Sequence, residues 1–214
     1  MLHDLETLIG SSVTATDGET GVVRNFLFDD QSWTIRYLIV DVGSWLSRQD
    51  VLISVTAIDQ PDWPQKTFPV RLTREQVRHS PDVDSKKPVS RQQEIAMKEY
   101  FGWPAWWKEI EAFLDAQFPV PSLPAGRKFP LHANEEPHLR SAGEVAGYEV
   151  WAVDGEIGRL ENFIVDEASW HIGYLDVKMR DWLHCRSMLV PTSCVTSLSW
   201  ASHRVHLHQA REHI

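Results

Sequence analysis

A shift of 137 positions lays one part of this 214-residue chain onto another, setting Trp33 on Trp170 with no gap. The stretch DDQSWTIRYLIVDVGSWL (Asp29 to Leu46) meets DEASWHIGYLDVKMRDWL (Asp166 to Leu183). From Gly10 to Leu46, 18 of the 37 aligned pairs are identical. Chance matching at average residue frequencies would give roughly two. Two copies are too few for a solenoid, whose repeats must stack on several neighbours. They suit two homologous small domains, over residues 1–81 and 138–214, separated by a connector at 82–137.

Each copy reads as β-rich. VTATDGETGVV and VWAVDGEIGRL are short strand pairs, closed by Asp17-Gly18 and Asp154-Gly155, dipeptides that tolerate positive φ. Gly21 and Gly158 recur where a left-handed or bulge residue would fit. The turns DDQS and DEAS offer side chains that cap turn backbone. In the third strand, Leu38, Val40 and Val42 match Leu175, Val177 and Met179, apolar at every second position and therefore expected in the core. Trp33, Ile35 and Tyr37, matching Trp170, Ile172 and Tyr174, should share the other face with Ile39. There the copies diverge, since Ile39 and Asp41 become Asp176 and Lys178. VLISV and MLVPT supply a fourth strand, and KTFPV and HRVHL a fifth. Thr73 can cap a short helix ahead of Pro81. Five or six short strands in about 75 residues predict a small closed or partly closed barrel.

The connector changes character. Ser90 followed by Gln93 fits a capping box, Gly102 ends one helix, and Pro104 suits the first turn of another, which Pro119 terminates. Trp106, Ile110 and Phe113 lie along one stripe, with Trp103 and Trp107 alongside. So many large rings must pack on something, either the barrels of the same chain or a partner. The proline-rich stretch that follows reads as an extended linker.

Composition narrows function by exclusion. The net charge of −9 is shared evenly: 11 acids and 7 bases in residues 1–80, 9 and 7 in 81–137, 10 and 7 in 138–214. No basic run exists to release counterions, so nucleic acid is not an expected partner and an anionic bilayer would repel the chain. Two cysteines, Cys185 and Cys194, cannot build a disulfide scaffold. No stretch reaches the length of a membrane span, and MLHDLETLIG lacks the features of a signal peptide, so a cytoplasmic protein is expected.

The pattern LIGSSVTATDGETGVVRNFLFDDQSWTIRYLIVDVGSWL…VLISVTAI, ending in LTREQVRHSP, resembles the photosynthetic-reaction-centre barrel (PRC-barrel) family. PVSRQQEIAMKEYFGWPAWW is similar to a segment that follows the barrel in many stand-alone bacterial members. The family includes the cytoplasmic domain of the reaction-centre H subunit and the C-terminal domain of a ribosome-maturation factor. The resemblance implies a mainly β fold: two small PRC-barrel-like β-barrels in tandem, joined by a helical, Trp-rich segment. It also implies a compact unit for protein contact with no chemistry of its own. The membrane helix that precedes the H-subunit barrel and the extra domain of the ribosome factor have no counterpart in the first ten residues, so neither exact role carries over.

Candidate chemistry is sparse. His206 and His208 would point the same way from a strand, but a metal needs a third ligand, which only Cys185, Cys194 or His184 could bring. Their plainer role is an outward polar face beside inward Val205 and Leu207. The acid pairs Asp29-Asp30 and Asp166-Glu167 sit at turns, where Asp serves the backbone, and Asn25 and Asn162 should bond loop backbone. No phosphate loop, HExxH helix or GxSxG elbow occurs. The expectation is a non-enzymatic interaction or scaffold protein without cofactor, catalytic residue or metal, contacting a protein partner or itself. Its candidate interface is Trp33, Ile35, Tyr37, Ile39, Trp103, Trp106, Trp107, Ile110, Phe113, Trp170 and Tyr174. The alternatives are a small ligand or RNA in a groove between the barrels, or a metal-dependent enzyme using the C-terminal His and Cys residues.

Overall fold

The apolar alternation and turn residues of each copy become strands in a computed structural model that describes residues 1–43, 49–80, 139–179 and 186–213. The first copy comprises β1 (Leu2–Asp4), β2 (Ser12–Ala15), β3 (Gly18–Asp29), β4 (Thr34–Asp41), β5 (Asp50–Ser54), β6 (Thr67–Pro69) and helix α1 (Arg74–Arg78). The second comprises β7 (Leu139–Ser141), helix α2 (Ala142–Val145), β8 (Glu149–Ala152), β9 (Gly155–Asp166), β10 (Ile172–Met179), β11 (Ser187–Pro191), β12 (Val195–Ser199) and β13 (Arg204–Leu207). Thr73 caps α1 through the full reciprocal box with Gln76. The expected helices of the connector, with Trp103, Trp106, Trp107, Ile110 and Phe113, lie outside the described residues, as do His184 and Cys185.

Two mainly antiparallel sheets result, in the orders β5-β4-β3-β2-β6 and β11-β10-β9-β8-β13-β12. The contacts β2 with β6 and β8 with β13 are parallel, at equivalent registers in the two copies. Of the closed or partly closed barrels expected, no closed one is found: among the described residues both sheets are open paths.

The first strand of each copy leaves its own sheet. β1 pairs with β9, with Leu2 opposite Asp166 and Asp4 opposite Ile164. β7 pairs with β3, with Leu139 opposite Asp29 and Ser141 opposite Leu27. Under the 137-residue shift these registers are one and the same, so the exchange obeys an internal twofold relation. On that axis Ile35 N donates to Trp170 O (2.9 Å) while Ile172 N donates to Trp33 O (2.7 Å). Both tryptophans take positive φ, 52° and 57°. Left-handed backbone is costly for a bulky residue, and here paired inter-copy bonds hold it.

One apolar core runs through both copies. Phe28 meets Phe163 at 5.3 Å between ring centroids, and Trp63 meets Trp170 at 5.4 Å. Full burial of a phenylalanine side chain contributes about 1.5–3 kcal/mol, so the buried Phe28–Phe163 contact fastens one copy to the other, with half-buried Trp63 and Trp170 adding to it. Leu38, Val40, Val42, Leu175 and Val177 face this core as their spacing requires.

Trp33, Ile35 and Ile172 do not share a face with Tyr37 and Tyr174. They join the core, because the register slips between Phe28–Ile35 and Leu27–Tyr37 and again between Val165–Ile172 and Ile164–Tyr174. Arg36 and Gly173 are the extra residues, and a bulge of one residue reverses the facing of everything before it.

Two turn readings also shift. The hairpin loops are Thr16-Asp17 and Val153-Asp154, with Gly18 (φ 131°) and Gly155 (φ 146°) opening the next strand. Gly21 and Gly158 are not left-handed, but each borders a register irregularity of its strand pair, the bulge alternative of the sequence reading. They lie where a Cβ would meet the facing strand's carbonyl, at 2.5 Å from Asp41 O and 2.0 Å from Lys178 O.

Candidate functional site

Two features stand out: the clasp joining the copies, and a pair of outer sheet faces that match in register but not in exposure. The clasp is built on Asn25 and Asn162. Asn25 Nδ2 donates to Ser141 Oγ (2.7 Å), and its Oδ1 accepts from Phe26 N (2.8 Å) and Gly143 N (3.0 Å). Asn162 repeats the pattern, with Nδ2 donating to the Asp4 carboxylate and Oδ1 accepting from Phe163 N (2.8 Å) and Glu6 N (3.2 Å). Each amide thus reads the incoming strand of the opposite copy, a partner that one copy's sequence could not reveal. A second equivalent pair sits nearby. Arg140 Nε donates to Asp30 at 2.7 Å, both side chains nearly buried, and its counterpart is His3 against Glu167 at 2.8 Å, with His3 stacked on Trp63. The bond to His3 and the N-terminal ammonium hold the Glu167 carboxyl below the usual glutamate range.

The outer face of the first sheet carries Leu27, Tyr37, Ile39, Leu52 and Leu139, all buried and clustered apart from the main core. Its counterpart on the second sheet carries Ile164, Tyr174, Asp176, Leu189 and Leu2. Here exposure decides: Leu52 is 0% exposed and Leu189 54%, while Leu139 is 2% and Leu2 53%. Asp176 stands in the place of Ile39, opposite Asn162 on one side and Leu189 on the other. Its Oδ1 is buried and accepts no hydrogen bond. Burial first, then the Glu161 carboxylate, pushes the Asp176 carboxyl upward, with the Ser187 hydroxyl easing it and Asp4 adding to it. Glu161 itself is paired with Lys178 at 2.7 Å.

A groove of about 200 Å³ lies at the clasp, lined by Leu5, Ile9, Phe26, Ala142 and Phe163 together with both asparagines. Those amides are already engaged, so the groove offers mainly apolar walls.

Of the expected interface residues that are described, Trp33, Ile35, Tyr37 and Ile39 are buried, Trp170 is half-buried and Tyr174 is 36% exposed. Leu2, Leu189 and Asp176 were not anticipated as surface-forming. The available signal was the change of Ile39 to Asp176 between otherwise matching strands. Val205 and Leu207 point inward, with His206 half-buried and His208 exposed, and Cys194 is a buried free thiol. Among the described residues no three His, Cys, Asp or Glu side chains are grouped to hold a metal. No helix among them is long and apolar enough to cross a membrane. Asp29 and Asp166 serve their turns as expected, each accepting from a serine N–H and hydroxyl, although Asp29 is buried rather than solvated.

Among curated proteins none matches this chain. Residues 2–76 match the family model of the PRC-barrel domain, a span from β1 into α1 that takes in a strand pairing with the opposite copy's sheet.

Proposed function

We propose that this chain is a non-enzymatic protein-interaction module made of two tandem PRC-barrel-like units, the second a diverged copy of the first. The carrying observation is the unequal pair of outer faces. One fold presents the same sheet surface twice, and only the second presentation stands open, with Leu2, Tyr174 and Leu189 exposed. A contiguous apolar surface rimmed by charge is the usual mark of a contact site. The even acidic charge favours a protein over nucleic acid or an anionic bilayer as the thing contacted. By family analogy alone, the setting would be a bacterial cytoplasm, in a membrane-associated electron-transport or assembly context.

The test is affinity capture from the native cell with the full chain and with Leu189→Asp, alongside a solution mass measurement. A protein recovered by the parent and lost by the variant supports the reading. A strict monomer that recovers nothing sensitive to Leu189 overturns it.

A further inference from the structure

The open face of the second sheet differs from its covered twin in one chemical respect. Asp176 replaces Ile39 at the centre, and the carboxylate keeps a buried oxygen with no partner. A buried polar atom left unpaired costs stability, and a charged one costs more than a neutral one. The Ser187 hydroxyl relieves it only in part: the acids Glu161 and Asp4, the latter on β1 across β9, bear on it, and Lys178 is bonded to Glu161. The face is therefore an apolar row with a negative charge in its middle whose charged neighbours are acids.

Resting on the interaction-module reading above, we propose that this face docks an amphipathic helix of a partner protein whose apolar ridge carries one lysine or arginine, set over Asp176. A sheet face buries its apolar row most readily against a helix, while strand addition would engage the sheet edge instead. The ridge matches the row Leu2, Ile164, Tyr174 and Leu189, and the basic residue answers the charge of Asp176, whose charged neighbours Glu161 and Asp4 are both acids. A second copy of this chain does not fit the same face, because two Asp176 carboxylates, each with Asp4 and Glu161 nearby, would be brought together between chains of net charge −9.

The full chain is titrated against two synthetic helical peptides with the same leucine ridge, one bearing lysine at the centre of the ridge and the other glutamate. Fluorescence anisotropy reads the binding. The lysine peptide should bind at least tenfold tighter than the glutamate peptide. Asp176→Asn should reduce that preference to about twofold or less, and Leu189→Asp should abolish binding of both peptides while leaving the circular dichroism spectrum and melting unchanged. Equal binding of both peptides, or a preference that survives Asp176→Asn, overturns the proposal. So does concentration-dependent self-association that Leu189→Asp removes, since the occupant would then be a second copy. Native capture that depends on Leu189, combined with no preference for the lysine peptide, refutes the basic helix and leaves the interaction module standing. No Leu189-dependent capture and no peptide binding refutes both.

Discussion

Changing each clasp asparagine to aspartate should separate two sites that look alike. Asn25→Asp and Asn162→Asp both keep the oxygen that accepts backbone N–H groups, and both replace the amide donor with a second oxygen. The outcome turns on what that donor faced. At position 25 it faced Ser141 Oγ, a hydroxyl that can rotate and donate instead. At position 162 it faced the Asp4 carboxylate, which has no proton to give. Two carboxylates about 3 Å apart would repel by about 5 kcal/mol at an effective dielectric of about 20. The site escapes by retaining a proton, and the cost of doing so at pH 7 is bounded by the displacement from the ordinary Asp value, about 4 kcal/mol. Asn162→Asp should therefore be less stable than Asn25→Asp by roughly 1–3 kcal/mol at pH 7. The sign follows from linkage: a carboxyl raised by folding loses stability as pH climbs above its unfolded value, so the gap should shrink to about 0.5 kcal/mol or less near pH 4. Urea unfolding of the full chain at both pH values measures this, as a midpoint difference of about 0.5–1.5 M at pH 7. Equal midpoints at pH 7, or a gap that persists unchanged at pH 4, would refute the idea that each amide reads the opposite arm.

Three further outcomes are expected. Gly158→Ala and Gly21→Ala drive a Cβ into a facing carbonyl and should each cost about 2–3 kcal/mol in thermal unfolding, while Gly173→Ala, with nothing within 4 Å, should change stability by less than about 0.5 kcal/mol. His3→Ala removes the leading cause of the lowered Glu167 carboxyl, so NMR titration should show it rising toward the ordinary glutamate value. Because a lowered carboxyl stabilises only above its unfolded value and loses that contribution as pH falls, the variant's stability should depend less on pH in the acid range. The Tyr148 phenol, pushed up to about 12 by burial and then by Glu144, should ionise well above free tyrosine by ultraviolet absorbance, with folding stability falling as pH rises from about 10 to 12.

Local pattern accounts for much of what the structure displays. Alternating Leu38, Val40 and Val42 are core residues because period two puts them on one face, and Thr73 caps its helix because Gln76 stands three residues on. The facing of Ile35 is hidden from the sequence for an equally physical reason: nothing in its neighbours announces that Arg36 is an extra residue against β3. A bulge is set by the partner strand. Asn25 and Asn162 were legible as needing partners, but those partners sit 116 and 158 positions away.

The amino-acid order determined that one β pattern is present twice, where its strands and turns fall, and where the copies diverge chemically, as at Ile39 and Asp176. Those are properties of period, turn chemistry and side-chain type, which act over a few residues. Only the tertiary structure decided that β1 and β7 trade sheets, that the two copies share one core, and that the first outer face is covered while the second stays open. Pairing and burial between distant segments depend on which surfaces meet, and two copies with nearly the same local code can meet their surroundings differently.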